Sequence, residues 1–319
     1  MTKICFTLCS NNYIAQASLL ASSFLQHHPD YFFYIGLVDE YNQSIAYPSH
    51  GHLKILPCAE IMDLRLLNEM AAVYKIVELN TSVKPFYFDY FFRQHPECIV
   101  IYLDPDIYVY QPFTYIEQML EQYEFIITPH CLSPIALDDK LPQERAFVKY
   151  GIFNLGFIAL KKGGASIQFV QWLKERLAKY CYSEIQLGVY VDQSWINFLP
   201  VFWNNVLISK NPGLNCAYWN MHERTYHFQN NQWQVNNHPL IFFHFSALDT
   251  SNWQAYSKYQ TRYQPGERTD ILPLFKEYAE KYIAALSKYP SRIPCVYTQR
   301  TLKGKIKYYL NRYRIRKSL

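Results

Sequence analysis

Two carboxylates, Asp104 and Asp106, flank Pro105 directly after the apolar run Cys98–Leu103. Like charges this close resist joint ionisation unless a cation lies between them. Hard divalent ions take oxygen ligands and bridge carboxylates to substrate phosphates. The tripeptide is therefore a candidate metal–diphosphate site, and its alternative is a solvated turn. His244 stands in a second apolar run, Phe242-Phe243-His244-Phe245. It is either a satisfied core histidine or an imidazole ligand, and an imidazole favours a Mn²⁺-like ion over strict Mg²⁺. A third group is the pair of stretches Asn211–Asn215 and Ala217–Arg224, where Trp219 could stack on a sugar and His222 could bond to an acceptor hydroxyl, the alternative being a loop with a half-buried tryptophan.

The elements that must position these groups follow from apolar patterning. Lys3–Cys9, Phe32–Val38 and Leu53–Leu56 read as short buried strands. Asn11 or Asn12 is placed to cap a helix whose apolar face is Ala17, Leu20, Ala21, Phe24 and Leu25. Strand, helix and strand in this order predict a crossover unit of a parallel sheet. Leu66–Phe92 reads as helix on both sides of Pro85. Cys98–Leu103, Glu124–Thr128, Ile152–Leu160 and Leu240–Phe245 read as further strands of one sheet, and Ser166–Tyr180 and Leu272–Leu286 as helices. In open α/β sheets ligands gather beyond the carboxyl ends of the strands. The polar residues after Cys9, Leu103 and Phe245 are then the first places to look.

Composition narrows the function classes. The chain has 319 residues, 50% hydrophobic and 18% charged, with 29 Tyr and 21 Phe. That is a globular chain long enough for a full core. No run reaches the roughly 18–20 apolar residues of a membrane-spanning helix. Met1–Ser10 enters a strand at once and lacks the pattern of a secretory signal. The eight cysteines are scattered, with no Cys-x-x-Cys, which predicts reduced thiols in a cytosolic protein. The net charge of +5 belongs to the end of the chain: Arg300–Leu319 holds eight Lys or Arg and no acid. The rest of the chain is slightly acidic, which argues against a nucleic-acid partner.

Taken in order, Tyr102-Leu103-Asp104-Pro105-Asp106-Ile107, Phe153-Asn154-Leu155-Gly156, Asp192-Gln193-Ser194-Trp195-Ile196-Asn197 and His244 resemble the motifs of retaining GT-A glycosyltransferases. The likeness is to glycosyltransferase family 8, which includes bacterial lipooligosaccharide galactosyltransferases, and it spans residues 3 to about 250. The resemblance implies a Rossmann-like α/β GT-A domain over 1–250, a helical extension over 251–299 and a basic tail over 300–319. It implies that Asp104, Asp106 and His244 hold Mn²⁺, with Mg²⁺ as the alternative. Asn12 and Tyr13 would meet the base of a UDP-sugar, and Lys84 the donor's phosphate or sugar. Asn154 and Asp192 would hold sugar hydroxyls, with Gln193 beside the reacting carbon.

The chain departs from that pattern in two places. Ser10 stands where the family often has an acid that meets the base. Ala247 replaces a glycine, and Leu248–Asn252 lacks the lysine that clamps the leaving diphosphate, so Lys84 is the expected substitute, its alternative being a solvated helix cation.

The implied activity is transfer of a hexose from a UDP-sugar to a cell-surface glycan or lipid-linked acceptor. A sugar-nucleotide-binding protein without activity is the alternative. In the tail, Leu302, Ile306, Tyr309, Leu310 and Tyr313 share one helical face among basic residues. That pattern suits an anionic membrane surface, and predicts a cytoplasmic protein peripheral to the inner face of the cell membrane. A disordered basic end and a nucleic-acid contact are the competing readings.

Overall fold

The computed structural model describes residues 1–317. Ser318 and Leu319, the last two residues of the predicted tail, lie outside the described residues. Its strands are β1 Thr2–Cys9, β2 Phe32–Leu37, β3 Leu53–Pro57, β4 Cys98–Leu103, β5 Ile107–Val109, β6 Phe125–Pro129, β7 Phe153–Lys161, β8 Val206–Ile208, β9 Cys216–Ala217, β10 Tyr226–Gln229, β11 Gln232–Val235, β12 His238–Pro239 and β13 Phe242–His244. Its α-helices are α1 Ile14–His27, α2 Leu64–Val73, α3 Ile76–Ser82, α4 Lys84–Gln94, α5 Thr114–Gln122, α6 Glu144–Tyr150, α7 Gly164–Tyr180, α8 Gln193–Ile196, α9 Leu199–Phe202, α10 Leu272–Leu286 and α11 Leu302–Lys317.

The central sheet has seven strands in the order β3-β2-β1-β4-β7-β6-β8. β4 lies near its middle with all six residues buried, as a run apolar at every position requires when both faces are covered. Alternate side chains of β1 and β4 enter different cores. Ile4, Phe6, Val100 and Tyr102 pack with α4 and α7, whereas Cys5, Ile99, Ile101 and Leu103 pack with α1 and α5. Gly36 on β2 is pinned by this packing, because a Cβ there would lie 2.5 Å from Leu8 and 2.7 Å from the ring of Tyr87.

Four expectations change. The sheet is not wholly parallel: β7 runs antiparallel to both β4 and β6. β13 is not part of it, and instead pairs antiparallel with β5 and parallel with β9 in a separate three-stranded sheet. The stretch Leu66–Phe92 holds three helices, with Pro85 in the first turn of α4, where its missing N–H matters least. Neither Asn11 nor Asn12 caps α1: Asn11 turns inward, donating to the carbonyl of Glu40 (2.9 Å) and accepting from the Tyr47 hydroxyl (2.5 Å).

The small sheet and α10 share a core. The rings of Phe245 and Tyr278 stack 3.8 Å apart, and Phe243 meets Phe275 edge-on at 5.2 Å. α11 is a docked helix, which removes the disordered reading of the tail for the residues described. Its inward face is Tyr308 and Arg312, and the predicted apolar stripe, Leu302, Ile306, Tyr309, Leu310 and Tyr313, faces outward. Arg312 pairs with fully buried Glu78 at 2.5 Å and with Glu184 at 2.7 Å. Arg300 donates to the carbonyls of Ala71, Ala72 and Tyr74, placing a cation on the negative end of α2.

Candidate active site

The site begins where β4 ends. Asp104 N–H donates to the carbonyl of Gly156 (2.8 Å), which extends the β4–β7 pairing by one residue. The chain then turns at Pro105, with Ile107 N–H on the carbonyl of Asp104 (3.1 Å), and leaves as β5. β13 lies antiparallel to β5 with His244 opposite Ile107, and Phe245 N–H donates to the carbonyl of Asp106 (2.9 Å). That register brings His244 Nε2 to 2.9 Å from Asp106 Oδ1 and 3.8 Å from Asp104 Oδ2. One ligand atom from each of the three residues lies within 4.8 Å of the others. His244 is buried behind, and the two carboxylates are partly open in front.

Neighbouring groups fix these three. The Tyr102 hydroxyl donates to Asp104 Oδ1 at 2.6 Å, leaving Oδ2 on the histidine side. The ring of His244 lies against the α-carbon of Gly156, and the Trp219 ring meets it edge-on at 5.1 Å. The buried His244 Nδ1 has no hydrogen-bond partner among the described residues. Burial opposes the imidazolium, but the adjacent Asp106 and Asp104 carboxylates together hold its pKa above the usual range. Trp219 is buried, which favours the packed-loop reading over stacking on a sugar. His222 Nε2 lies 3.3 Å from the carbonyl of Ser133, so its ring has an internal partner.

Behind the carboxylates lies a buried ion pair. Lys84 Nζ is 2.5 Å from Asp192 Oδ2 and 2.9 Å from the carbonyl of Leu155, and sits 4.0 Å over the ring of Tyr102. Both side chains are 3% exposed. Lys84 is therefore neither a solvated helix cation nor a free clamp for diphosphate. It opens α4, where the helix dipole disfavours a cation, and Asp192 compensates. Burial pushes the Asp192 carboxyl above its ordinary range although Lys84 opposes this. Asp192 precedes α8 without capping it, since its side chain is held by Lys84.

Asn154 and Gln193 meet directly. Asn154 Nδ2 donates to Gln193 Oε1 (3.2 Å), and Gln193 Nε2 donates to the carbonyl of Tyr150 (3.1 Å). Asn154 Oδ1 accepts from Gly156 N–H and from Asn215 Nδ2, each at 3.1 Å. His130 completes this network: Nδ1 lies 3.1 Å from the carbonyl of Ile152, and Nε2 lies 3.2 Å from Asn154 Nδ2. Burial pushes its pKa down to about 4, which keeps the ring neutral. Sequence reasoning missed His130 and gave Asn215 no role beyond its place in the polar stretch Asn211–Asn215. His130 follows β6 directly, so the strand-end rule could have found it.

Tyr13 and Asn12 lie on the turn after β1. Tyr13 is 46% exposed, and its phenol pKa is raised by partial burial and by the charge of Asp106. Buried Asn12 Oδ1 has no partner among the described residues. Ser10 is turned into the fold, donating to the carbonyl of Val38 (3.0 Å) and accepting from Asn80 (2.9 Å). Ala247 has φ +57°, a left-handed backbone that glycine adopts freely and alanine rarely does.

Comparison with known proteins shows the fold. No protein-family model matches the chain. It is 24% identical to the uncharacterized protein YfnF of Bacillus subtilis (strain 168) over 251 residues, covering 77% of this chain and 82% of YfnF. With YfnD of the same organism the identity is 21% over 246 residues, or 76% of each chain. Among solved structures, the galactosyltransferase LgtC, in complex with donor and acceptor sugar analogues, superposes with a TM-score of 0.50 at 14% identity, covering 96% of this chain and all of LgtC. The glycosyltransferase GlyE of Streptococcus pneumoniae TIGR4 gives a TM-score of 0.51 at 15% identity, covering 92% of this chain and 66% of that one. The chain has the mixed α/β fold of GT-A glycosyltransferases.

Proposed function

We propose that this chain is a retaining glycosyltransferase that moves a hexose from a UDP-sugar to a cell-surface glycan or lipid-linked acceptor, with Mn²⁺ as its metal. The observation that carries the reading is the convergence of Asp104, Asp106 and His244 at the carboxyl end of β4. Two carboxylates and one imidazole suit Mn²⁺ better than Mg²⁺, which prefers oxygen alone. The partnered Asp104 and the packed His244 ring are what a ligand set needs to hold its orientation. When bound there, a divalent cation supplies Lewis-acid compensation for the charge of the departing diphosphate.

The chain's own groups do the rest. Asn12 and Tyr13, on the turn after β1, are assigned to the donor base. Asp192, its Oδ2 held by Lys84, is assigned to a sugar hydroxyl. Asn154 and Gln193, each anchored by the other, hold the sugar in one orientation, and positioning of this kind lowers the barrier substantially. Gln193 is an amide, a poor nucleophile, so we assign retention to attack on the leaving-group face. α11 offers an anionic bilayer an exposed apolar stripe set among cations, which suits a cytoplasmic protein working at the inner face of the membrane.

One observation favours the binding-only alternative. Lys84 is committed to Asp192, and residues 245–257 contain no Lys or Arg to meet the diphosphate. The experiment is thermal shift and product assay against nucleoside diphosphate sugars with and without Mn²⁺. A ligand that binds only the folded chain raises its melting temperature. Mn²⁺-dependent stabilisation with turnover of a UDP-hexose supports transfer. Stabilisation without turnover supports binding alone, and neither response to any donor sinks both.

A further inference from the structure

A second exposed apolar surface lies on α8 and α9. Phe198 is 43% exposed, Val201 72% and Phe202 54%, and the rings of Phe198 and Phe202 stack 5.1 Å apart. Beneath them Trp172 lies 5.9 Å from Phe202 and 6.0 Å from Trp195. Large apolar side chains grouped this way on a surface mark an interaction site rather than ordinary exposure.

One chain segment links this surface to the docking ground of α11. The segment Tyr180–Glu184 joins them: Tyr180 packs 6.2 Å from Trp195, the Tyr182 hydroxyl accepts from Asn311 at 3.2 Å, and Glu184 pairs with Arg312 and Arg316. Charge points the same way. Residues 193–222 contain no Asp or Glu, and neither do residues 300–317.

We infer that α8–α9 and α11 form one bilayer-docking surface, in which Phe198, Val201 and Phe202 enter the boundary between headgroups and acyl chains beside the tail's cations. The inference rests on the membrane reading of α11. Aromatic side chains favour that boundary, and stable anchoring takes an apolar contribution beside the electrostatic one. A second copy meeting the same surface would bring the two sets of tail cations toward each other, which disfavours it. Docking through α8 also has a consequence for the reaction. Gln193 opens α8 and Phe202 closes α9, so one short segment of chain joins the site to the lipid-facing side chains, which suits a lipid-linked acceptor.

The test is co-sedimentation with vesicles of phosphatidylcholine alone and with phosphatidylglycerol added, using the full chain. The wild type is expected to bind the anionic vesicles. Val201→Asp is expected to lower the partition coefficient about tenfold and Val201→Trp to raise it, both with unchanged melting temperature. A polarity-sensitive fluorophore on Val201→Cys, in a Cys131→Ser background, is expected to shift to the blue on binding. If Lys303/Lys305/Lys307→Gln abolishes binding while Val201→Asp and the fluorophore show no effect, the tail docks alone and this proposal is overturned. If the wild type binds no vesicle, the membrane reading of α11 falls with it. If light scattering shows a dimer that Val201→Asp converts to a monomer, the surface is a self-association site and the proposal is likewise wrong.

Discussion

The α-carbon of Gly156 faces the ring of His244 so closely that a methyl group there would lie 2.5 Å from Cε1 and 2.7 Å from Nδ1. The same methyl group would be 2.8 Å from Asn154 Oδ1. One glycine thus sets both the His244 imidazole and the amide network behind it.

Gly156→Ala is expected to fold but to push His244 out of line with Asp104 and Asp106. Mn²⁺ affinity, read by calorimetry or by the metal's magnetic resonance signal, should fall by about the 10–100-fold typical of disturbed ligand orientation. Unchanged Mn²⁺ affinity in a folded variant would show that the ring's position is irrelevant to metal binding.

Tyr102→Phe removes only the hydroxyl that donates to Asp104 Oδ1 at 2.6 Å. The ring, and the Lys84 ammonium over it, remain. Metal affinity is expected to drop about tenfold or more, with donor binding weakened only when Mn²⁺ is present. A loss of equal size without metal would point to packing instead.

Lys84 and Asp192 should behave as a unit. Removing either partner leaves a buried charge uncompensated, and Lys84→Met or Asp192→Asn alone should cost about 3–5 kcal/mol by denaturant unfolding. The double variant should lose clearly less than the sum. Additive losses would mean the two are not coupled.

Acid stability should depend on His28, far from the site. Its Nε2 accepts from Phe113 N–H at 2.7 Å, and its Nδ1 lies 2.9 Å from the carbonyl of Phe24, so both ring nitrogens serve as a neutral ring. Burial pushes its pKa down from 6.5 to about 4. The unfolded chain therefore takes up the proton first. The stabilising effect is complete above pH 6.5 and is lost as the pH falls toward 4, by about 3 kcal/mol. His130 adds a second step of the same sign. His28→Gln should flatten part of the decline in unfolding free energy between pH 7 and 4.5. An unchanged slope would rule His28 out.

Strand β4 and the carboxylates at its end were legible because both are local. Six apolar residues in a row can only be a covered strand, and the Asp-Pro-Asp turn follows it within three residues. The α7 and α10 helices were legible from their spacing for the same reason. His244 was visible as a residue at a strand end, but its sheet was assigned wrongly. The pairing that matters is with β5, a strand of three residues too short to announce itself.

The chain's order of residues alone determined which groups could bind a cation and that an α/β sheet would carry them. Tertiary structure alone decided which of those groups are free. Lys84 reads as a helix cation until a carboxylate 108 positions later is found 2.5 Å away. Tyr308 and Arg312, rather than the apolar stripe of α11, face inward because Glu78 and Glu184 lie beneath them. Local spacing fixes which side chains share a face, whereas the partner of a charge depends on contacts between distant segments, which spacing does not encode.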